Sequence, residues 1–371
     1  MGTQDRTSNN PSGRAGLGTS LPKRKSIPLV LRRLTSVGFA GVLVLLTLEL
    51  AMRHYAYIPR RLDPDFGYVA TGQAWWFREG GGIGHWGARG VRVSSSPTNV
   101  VEKTILVLGD SFTEAPHVSD DEVYTDVLER SLRRASHNLR VLNAGVTGST
   151  LPYYVHLAPS YLRAFSPSWT VVQINPDDVL GAAFSRKATH FERLPDGSVR
   201  VRALPPEGGG GLARRALRFL QGHSALLQNS VLQYKAFADS AKSFRPFRQT
   251  EALPPARTED PNRFPIAEEL AALSNAFGGR VTILFVSPWQ DGIGSDEPSP
   301  VERSVDAGCR ALGASCVFSR TVYPQLARSA AFPTGFPNTR PGRGHLNPTG
   351  HAAVAEALGR ELLAGKPSAL F

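Results

Sequence analysis

Cysteine is nearly absent from this sequence. With only Cys309 and Cys316 among 371 residues, a disulfide-framework fold, a structural zinc cluster and a cysteine nucleophile all lack the residues they need. The two form a disulfide if their domain lies outside the cytoplasm, and stand as two buried thiols otherwise. No internal repeat is present. Acidic residues are in deficit, 31 against 42 Lys and Arg, for a net +11. The excess base is local, because residues 1–61 hold ten Lys and Arg against Asp5 and Glu49, a net +8, which leaves +3 of the +11 for the other 310 residues. A body so nearly neutral has no global basic field, so nucleic acid is not an expected partner. The hydrophobic fraction of 41% and charged fraction of 20% are those of a globular chain. They exclude a mostly disordered protein, a collagen-like repeat and a multi-span membrane protein.

One long apolar run does occur. Residues 1–26 are Ser, Thr, Gly, Asn and Pro with scattered base, a composition that cannot offset its own ordering entropy, and they are read as a disordered tail. Leu34 to Met52 is then predominantly apolar, with Glu49 its one charged residue, and is close to the roughly 20 residues that cross a bilayer as a helix. Lys23, Arg24, Lys25, Arg32 and Arg33 precede the run, and positive flanks stay cytoplasmic, so the amino terminus is expected inside and the chain after Met52 outside. Glu49, near the outer end, is expected to reach the lipid headgroups. No small-x-small site follows the run, which favours an uncleaved single-pass anchor over a signal peptide. The organisation expected is a cytoplasmic tail (1–26), a basic flank and transmembrane helix (27–54), a membrane-proximal segment (55–99) and a folded body (100–371).

In that body, short β-rich runs alternate with helical patterns, which predicts a parallel sheet covered by helices. Strands are expected at Thr104–Leu108, Leu139–Asn143, Trp169–Ile174 and Arg280–Val286. Helices are expected from the Ser119/Glu122 capping box, over Tyr153–Phe165, from Ser299-Pro300 with Glu302, and from Asn347-Pro348 to about Leu363. An insertion at about 182–265 breaks the alternation. It holds a hairpin signal at Asp196-Gly197, an amphipathic helix near Leu212–Leu227 and a Pro-rich stretch over 240–263. It reads either as a lid or as a surface excursion.

Chemistry concentrates where the strands end. Gly109-Asp110-Ser111-Phe112 follows the first, Asn143-Ala144-Gly145 the second and Asn175-Pro176-Asp177-Asp178 the third, and Gly344-His345-Leu346-Asn347-Pro348 precedes the last helix. Catalytic groups in such sheets collect beyond the carboxyl ends of the strands. A serine hydroxyl is a weak nucleophile until a base takes its proton, and histidine suits that task near neutrality. Ser111 and His345 are the candidate pair.

That order of motifs resembles the SGNH/GDSL hydrolase superfamily over about residues 100–182 and 280–364. The resemblance implies a flavodoxin-like three-layer α/β/α sandwich with a parallel sheet, and ester chemistry without a cofactor or metal. It makes Ser111 the nucleophile, His345 the base and the Ser111 and Gly145 N–H groups oxyanion donors. The membrane-anchored arrangement, with the segment Asp63–Arg92, resembles bacterial envelope members, which act on acylated glycans; Trp75, Trp76 and Trp86 are candidate sugar-stacking surfaces.

Two positions depart from the pattern. Asp177 stands where an oxyanion-donating asparagine is usual, and a carboxylate accepts hydrogen bonds instead of donating them; Asn175 is the alternative donor. No aspartate stands two or three residues before His345, where Arg343 and Gly342 lie, so the acid is expected from Asp291 or Asp296, if the site is not a dyad. The leading expectation is an extracytoplasmic esterase removing O-acetyl groups from an envelope polysaccharide. The alternatives are a polysaccharide O-acyltransferase and an inactive glycan-binding protein.

Overall fold

The computed structural model describes residues 29–95, 103–135, 137–180, 189–203, 212–231, 233–234, 266–287, 289, 297–329 and 331–365. The chain forms two compact units, residues 1–47 and 48–371.

The first unit contributes helix α1, Leu29–Tyr55, whose amino-terminal part it contains. The helix has a mean hydropathy of 2.0 over its most apolar window. At about 1.5 Å per residue, its 27 residues are long enough to cross a bilayer. Leu34, Val37, Phe39, Val42 and Leu45 are all exposed along it. Leaving that much apolar surface in water is unfavourable by about 25 cal/mol per Å², and a lipid environment removes the cost.

The second unit begins with small antiparallel elements. Strands β1 (Ala56–Tyr57), β4 (Gly72–Trp76) and β5 (Gly82–Trp86) form one sheet in the order β1-β4-β5, and β2 (Arg60–Asp63) pairs with β3 (Gly67–Ala70). Arg92 then makes antiparallel bridges to both Trp86 and Asn143, linking this region to the edge of the main sheet. Residues 56–92 therefore pack within the same compact unit as the motifs at the strand ends. Glu49 does not reach for lipid headgroups as expected: its carboxylate accepts from Ser224 Oγ and from the Ala225 and Leu226 N–H groups, capping a helical stretch over 225–231.

The main sheet follows the predicted alternation: β6 (Lys103–Leu108), the short α2 (Ser111–Glu114), α3 (Tyr124–Arg134), β7 (Leu139–Asn143), α4 (Leu151–Phe165), β8 (Trp169–Ile174) and α5 (Pro176–Leu180). The expected hairpin forms β9 (His190–Arg193) and β10 (Val199–Arg202), and α6 covers Leu212–His223. The Pro-rich stretch over 240–263 lies outside the described residues. The chain resumes with α7 (Ala267–Ala276), β11 (Val281–Phe285), α8 (Pro300–Leu312), β12 (Ser315–Phe318), α9 (Tyr323–Arg328) and α10 (Pro348–Gly365).

Five parallel strands lie in the order β12-β11-β8-β6-β7. Counted along the chain this is 2-1-3-4-5, the flavodoxin-like doubly wound order. Period-two alternation sorts the strand residues into two cores. Leu106, Leu108, Val172, Ile174, Ile283 and Phe285 pack with Tyr154, Leu270 and Val305 on one face. Ile105, Val107, Val171 and Leu284 pack with Leu128, Leu132, Val354 and Leu358 on the other. A Cys309–Cys316 disulfide ties the end of α8 to β12, with a Cα separation of 6.3 Å.

Candidate active site

The order of strands reverses beside β6, which pairs with β7 on one side and β8 on the other, and a crevice opens beyond their carboxyl ends at such a point. The chain leaves β6 through Gly109 and Asp110 and enters α2 at Ser111. Asp110 sets the turn: its Oδ1 accepts the Phe112 N–H at 2.9 Å, its own N–H donates to Gln173 Oε1 at 3.2 Å, and its Oδ2 accepts from Asn175 Nδ2 at 2.7 Å. Gln173 and Asn175 both come from the end of β8. Burial pushes the Asp110 carboxyl up. Asp178, which accepts the Leu151 and Asn175 N–H groups, is raised to about 8 by burial and by the charge on Asp110.

Ser111 Oγ lies 2.9 Å from His345 Nε2. On the far side of the ring, His345 Nδ1 is 2.8 Å from Glu79 Oε2, while the His345 backbone N–H donates to Glu79 Oε1 at 2.9 Å. Glu79 thus stands where a triad acid stands. Sequence reading missed it, since it sits 266 positions from its histidine, between the small-sheet strands β4 and β5. Asp291 and Asp296, the acids expected there, lie outside the described residues, and the Nδ1 side of His345 is occupied by Glu79. Burial opposes ionisation of Glu79, but the His345 hydrogen bonds and charge outweigh it and hold the carboxyl below its ordinary value.

Close backbone packing makes that reach feasible. Gly80 has φ +77°, and a Cβ there would lie 2.2 Å from the His117 carbonyl oxygen. Asn338 clamps the same turn, accepting the Gly80 N–H and donating to the Phe77 and Gly80 carbonyls. Facing it is the loop over 115–120, held by Arg92. That buried guanidinium donates to the carbonyls of Glu114, Ala115 and Val118 and to the Asp120 carboxylate. The only signal of this in the sequence is the run Gly80-Gly81-Gly82 after Glu79.

The His345 ring is fixed from its faces as well. Its centroid lies 3.8 Å from that of His117, with the planes 19° apart, and 5.1 Å from that of Phe112. Burial, and then the charge on His345, push His117 well below the ordinary histidine value, so it stacks as a neutral ring. Glu79, His117 and His345 offer donor atoms within 4.8 Å of one another. Imidazole lone pairs lie in the ring plane, and two nearly parallel stacked rings do not converge on one ion, so this set fits a hydrogen-bonded relay better than a metal.

Gly145 does not keep its N–H for an oxyanion, because that group donates to Asn143 Oδ1 at 3.0 Å. The glycine serves packing instead: a Cβ there would lie 2.3 Å from the Glu114 N. Asp177 is exposed and its N–H donates to Asn175 Oδ1, so its carboxylate is not drawn into the buried network. Asn175, the alternative, is buried beside Asp110 with one of its two amide hydrogens used. The Ser111 N–H opens α2 and meets no acceptor among the described residues. Of the tryptophans, Trp86 is core, stacked under Arg92 at 5.1 Å, whereas Trp76 lines a cavity of about 760 Å³ shared with Ser111, His117 and His345.

No protein-family model and no curated protein matches the chain. Solved structures with a similar chain path include an α/β hydrolase enzyme from the metagenome of Lake Arreo, at 14% identity over 72% of this chain and 96% of that one, TM-score 0.39. They include a two-domain esterase active on acetylated mannans, at 11% identity over 72% and 51%, TM-score 0.38. An R-to-A mutant of an acetyl-xylooligosaccharide esterase from Geobacillus stearmophilus stands at 14% over 71% and 96%, TM-score 0.37. All three scores fall below one half, so what bears on the chemistry of this chain is the geometry of its own site.

Proposed function

We propose that this protein is a serine ester hydrolase of the SGNH type, with Ser111 as nucleophile, His345 as general base and Glu79 as the acid that orients it. The observation that carries the reading is the unbroken relay Ser111 Oγ–His345 Nε2–Glu79, at 2.9 and 2.8 Å. Glu79, bound at Nδ1, selects the tautomer that leaves Nε2 free to accept the serine proton, and it stabilises the imidazolium that results. Ser111 Oγ then bonds to the ester carbonyl carbon. The developing oxyanion is met by the Ser111 N–H and by the second Asn175 amide hydrogen. Collapse of the tetrahedral species expels the alcohol, which takes the proton back from His345, and water releases the acid from the acyl-serine by the same steps in reverse. An intact relay favours an enzyme over an inactive binding protein.

The substrate proposed is an O-acetylated polysaccharide of the cell envelope, and the protein is a single-pass membrane enzyme with its amino terminus in the cytoplasm. The bases clustered before the apolar run Leu34 to Met52 support that orientation. The Cys309–Cys316 disulfide agrees with a domain outside the reducing cytoplasm. The test is fluorophosphonate labelling of the full-length protein in detergent, with Ser111→Ala and His345→Ala alongside. Labelling is expected in the parent and in neither variant; a folded parent that does not label overturns the proposal.

A further inference from the structure

Resting on the esterase reading, we infer that the cavity beside Ser111 is also an anion subsite, built for a glycan that carries a carboxylate or phosphate near its ester. Two cations line it, Arg60 and Arg78, against a single carboxylate, Glu79. That carboxylate is already spoken for at both oxygens by His345. Arg60 binds both oxygens of the fully buried Glu114 through Nη2 alone, which anchors the side chain and leaves its other nitrogens uncommitted among the described residues. Arg78 makes no hydrogen bond or ion pair among the described residues and acts on the neighbouring Glu79 through its charge alone, although it is only part-exposed and shares the cavity with the nucleophile.

An arginine that served only the fold would bind a carbonyl or carboxylate, as Arg92 does four times over in the neighbouring loop. Arg78 instead lines the cavity without such a partner among the described residues, and a guanidinium is a planar fork of donors matched in geometry to a two-oxygen anion. Thr147 and Gln228 line the same space with neutral polar groups suited to sugar hydroxyls, and no second carboxylate among the lining residues repels a charged ligand. A low-dielectric concavity strengthens such an attraction relative to open water.

The test uses the full-length Ser111→Ala protein in detergent, so that bound ligand keeps its acyl group, titrated by fluorescence anisotropy. The probes are a labelled O-acetylated uronic-acid oligosaccharide, an O-acetylated sugar phosphate oligomer and a neutral O-acetylated xylo-oligosaccharide of equal length. At least one acidic probe is expected to bind about tenfold more tightly than the neutral one at low salt, with the preference shrinking as salt rises. The stronger of the two acidic probes identifies the anion. Adding Arg78→Gln is expected to erase the preference and Arg78→Lys to restore part of it, each in protein with an unchanged melting temperature. Equal binding of all three probes, or a preference that survives Arg78→Gln, overturns the inference. Because binding is read without turnover, a missing fluorophosphonate label with an intact anion preference would sink the esterase reading alone, and the converse result would sink only the subsite.

Discussion

Glu79→Gln isolates the least expected member of the relay. The change keeps the side-chain length and an oxygen able to accept the His345 backbone N–H, now held at 2.9 Å, so the local fold is expected to survive. It removes the negative charge that faces Nδ1 at 2.8 Å. For charges about 4 Å apart at an effective dielectric of about 20, the lost attraction for the imidazolium is about 4 kcal/mol. That corresponds to about a thousandfold in rate. An amide N–H turned toward Nδ1 also favours the tautomer with its proton on Nε2, which cannot accept from Ser111. The two effects together predict a fall of about 10³- to 10⁴-fold, the size expected when a triad acid is made neutral. The assay is the second-order rate of fluorophosphonate labelling, with hydrolysis of 4-nitrophenyl acetate as the turnover measure and thermal melting as the control. Glu79→Asp retains the charge but retreats by one methylene, and its rate is expected to fall between the two. If Glu79→Gln labels at an undiminished rate, Glu79 is a bystander and the orientation of His345 has another source.

Three further outcomes follow from the same geometry. Arg92→Met leaves three carbonyls and the Asp120 carboxylate without their buried donor; a loss of about 3–5 kcal/mol in urea unfolding is expected, and a loss below 1 kcal/mol would mean that water replaces the guanidinium. Gly80→Ala forces a side chain into φ +77° and against the His117 carbonyl, so a penalty of about 1–3 kcal/mol is expected together with slower labelling; normal labelling in this variant would show that Glu79 tolerates displacement. His117 and His351 are held neutral by burial, His117 well below and His351 at about 3 against an ordinary 6.5. Below the ordinary value the unfolded chain binds a proton that the native state refuses, so stability is full above it and falls with acid by about 1.4 kcal/mol per pH unit for each group. Unfolding measured from pH 7 to 5 is expected to show a shallower slope in His351→Gln, and parallel slopes would contradict the assignment.

Much of the architecture is written in short stretches of sequence, for reasons that act locally. The mainly apolar stretches Ile105–Leu108, Val171–Ile174 and Val281–Phe285 are buried on both faces, as strands of a parallel sheet must be. Ser299 caps α8 through the Glu302 N–H because a cap needs only the next turn of chain. Strand β12 was not legible: Ser315–Phe318 is four residues long and half-exposed, and its partner β11 and the disulfide define it more than its composition does. Gly145 was legible as important but for another reason, since only its approach to the Glu114 backbone reveals that it packs instead of donating.

Ser111 and His345 were recognisable because each stands at a strand or helix boundary that neighbouring residues announce. Glu79 was not, because nothing within reach along the chain marks a carboxylate whose purpose lies 266 residues away. Its role depends on the Gly80 backbone pressing against His117, on the Asn338 clamp and on the Arg92-braced loop, which are contacts between distant segments. Periodicity and caps along the chain mark the long apolar helix and the parallel sheet, and the order of motifs at the strand ends marks Ser111 and His345 as a pair. The carboxylate that meets His345 emerges from packing between distant segments, which, unlike propensity, has no sequence range.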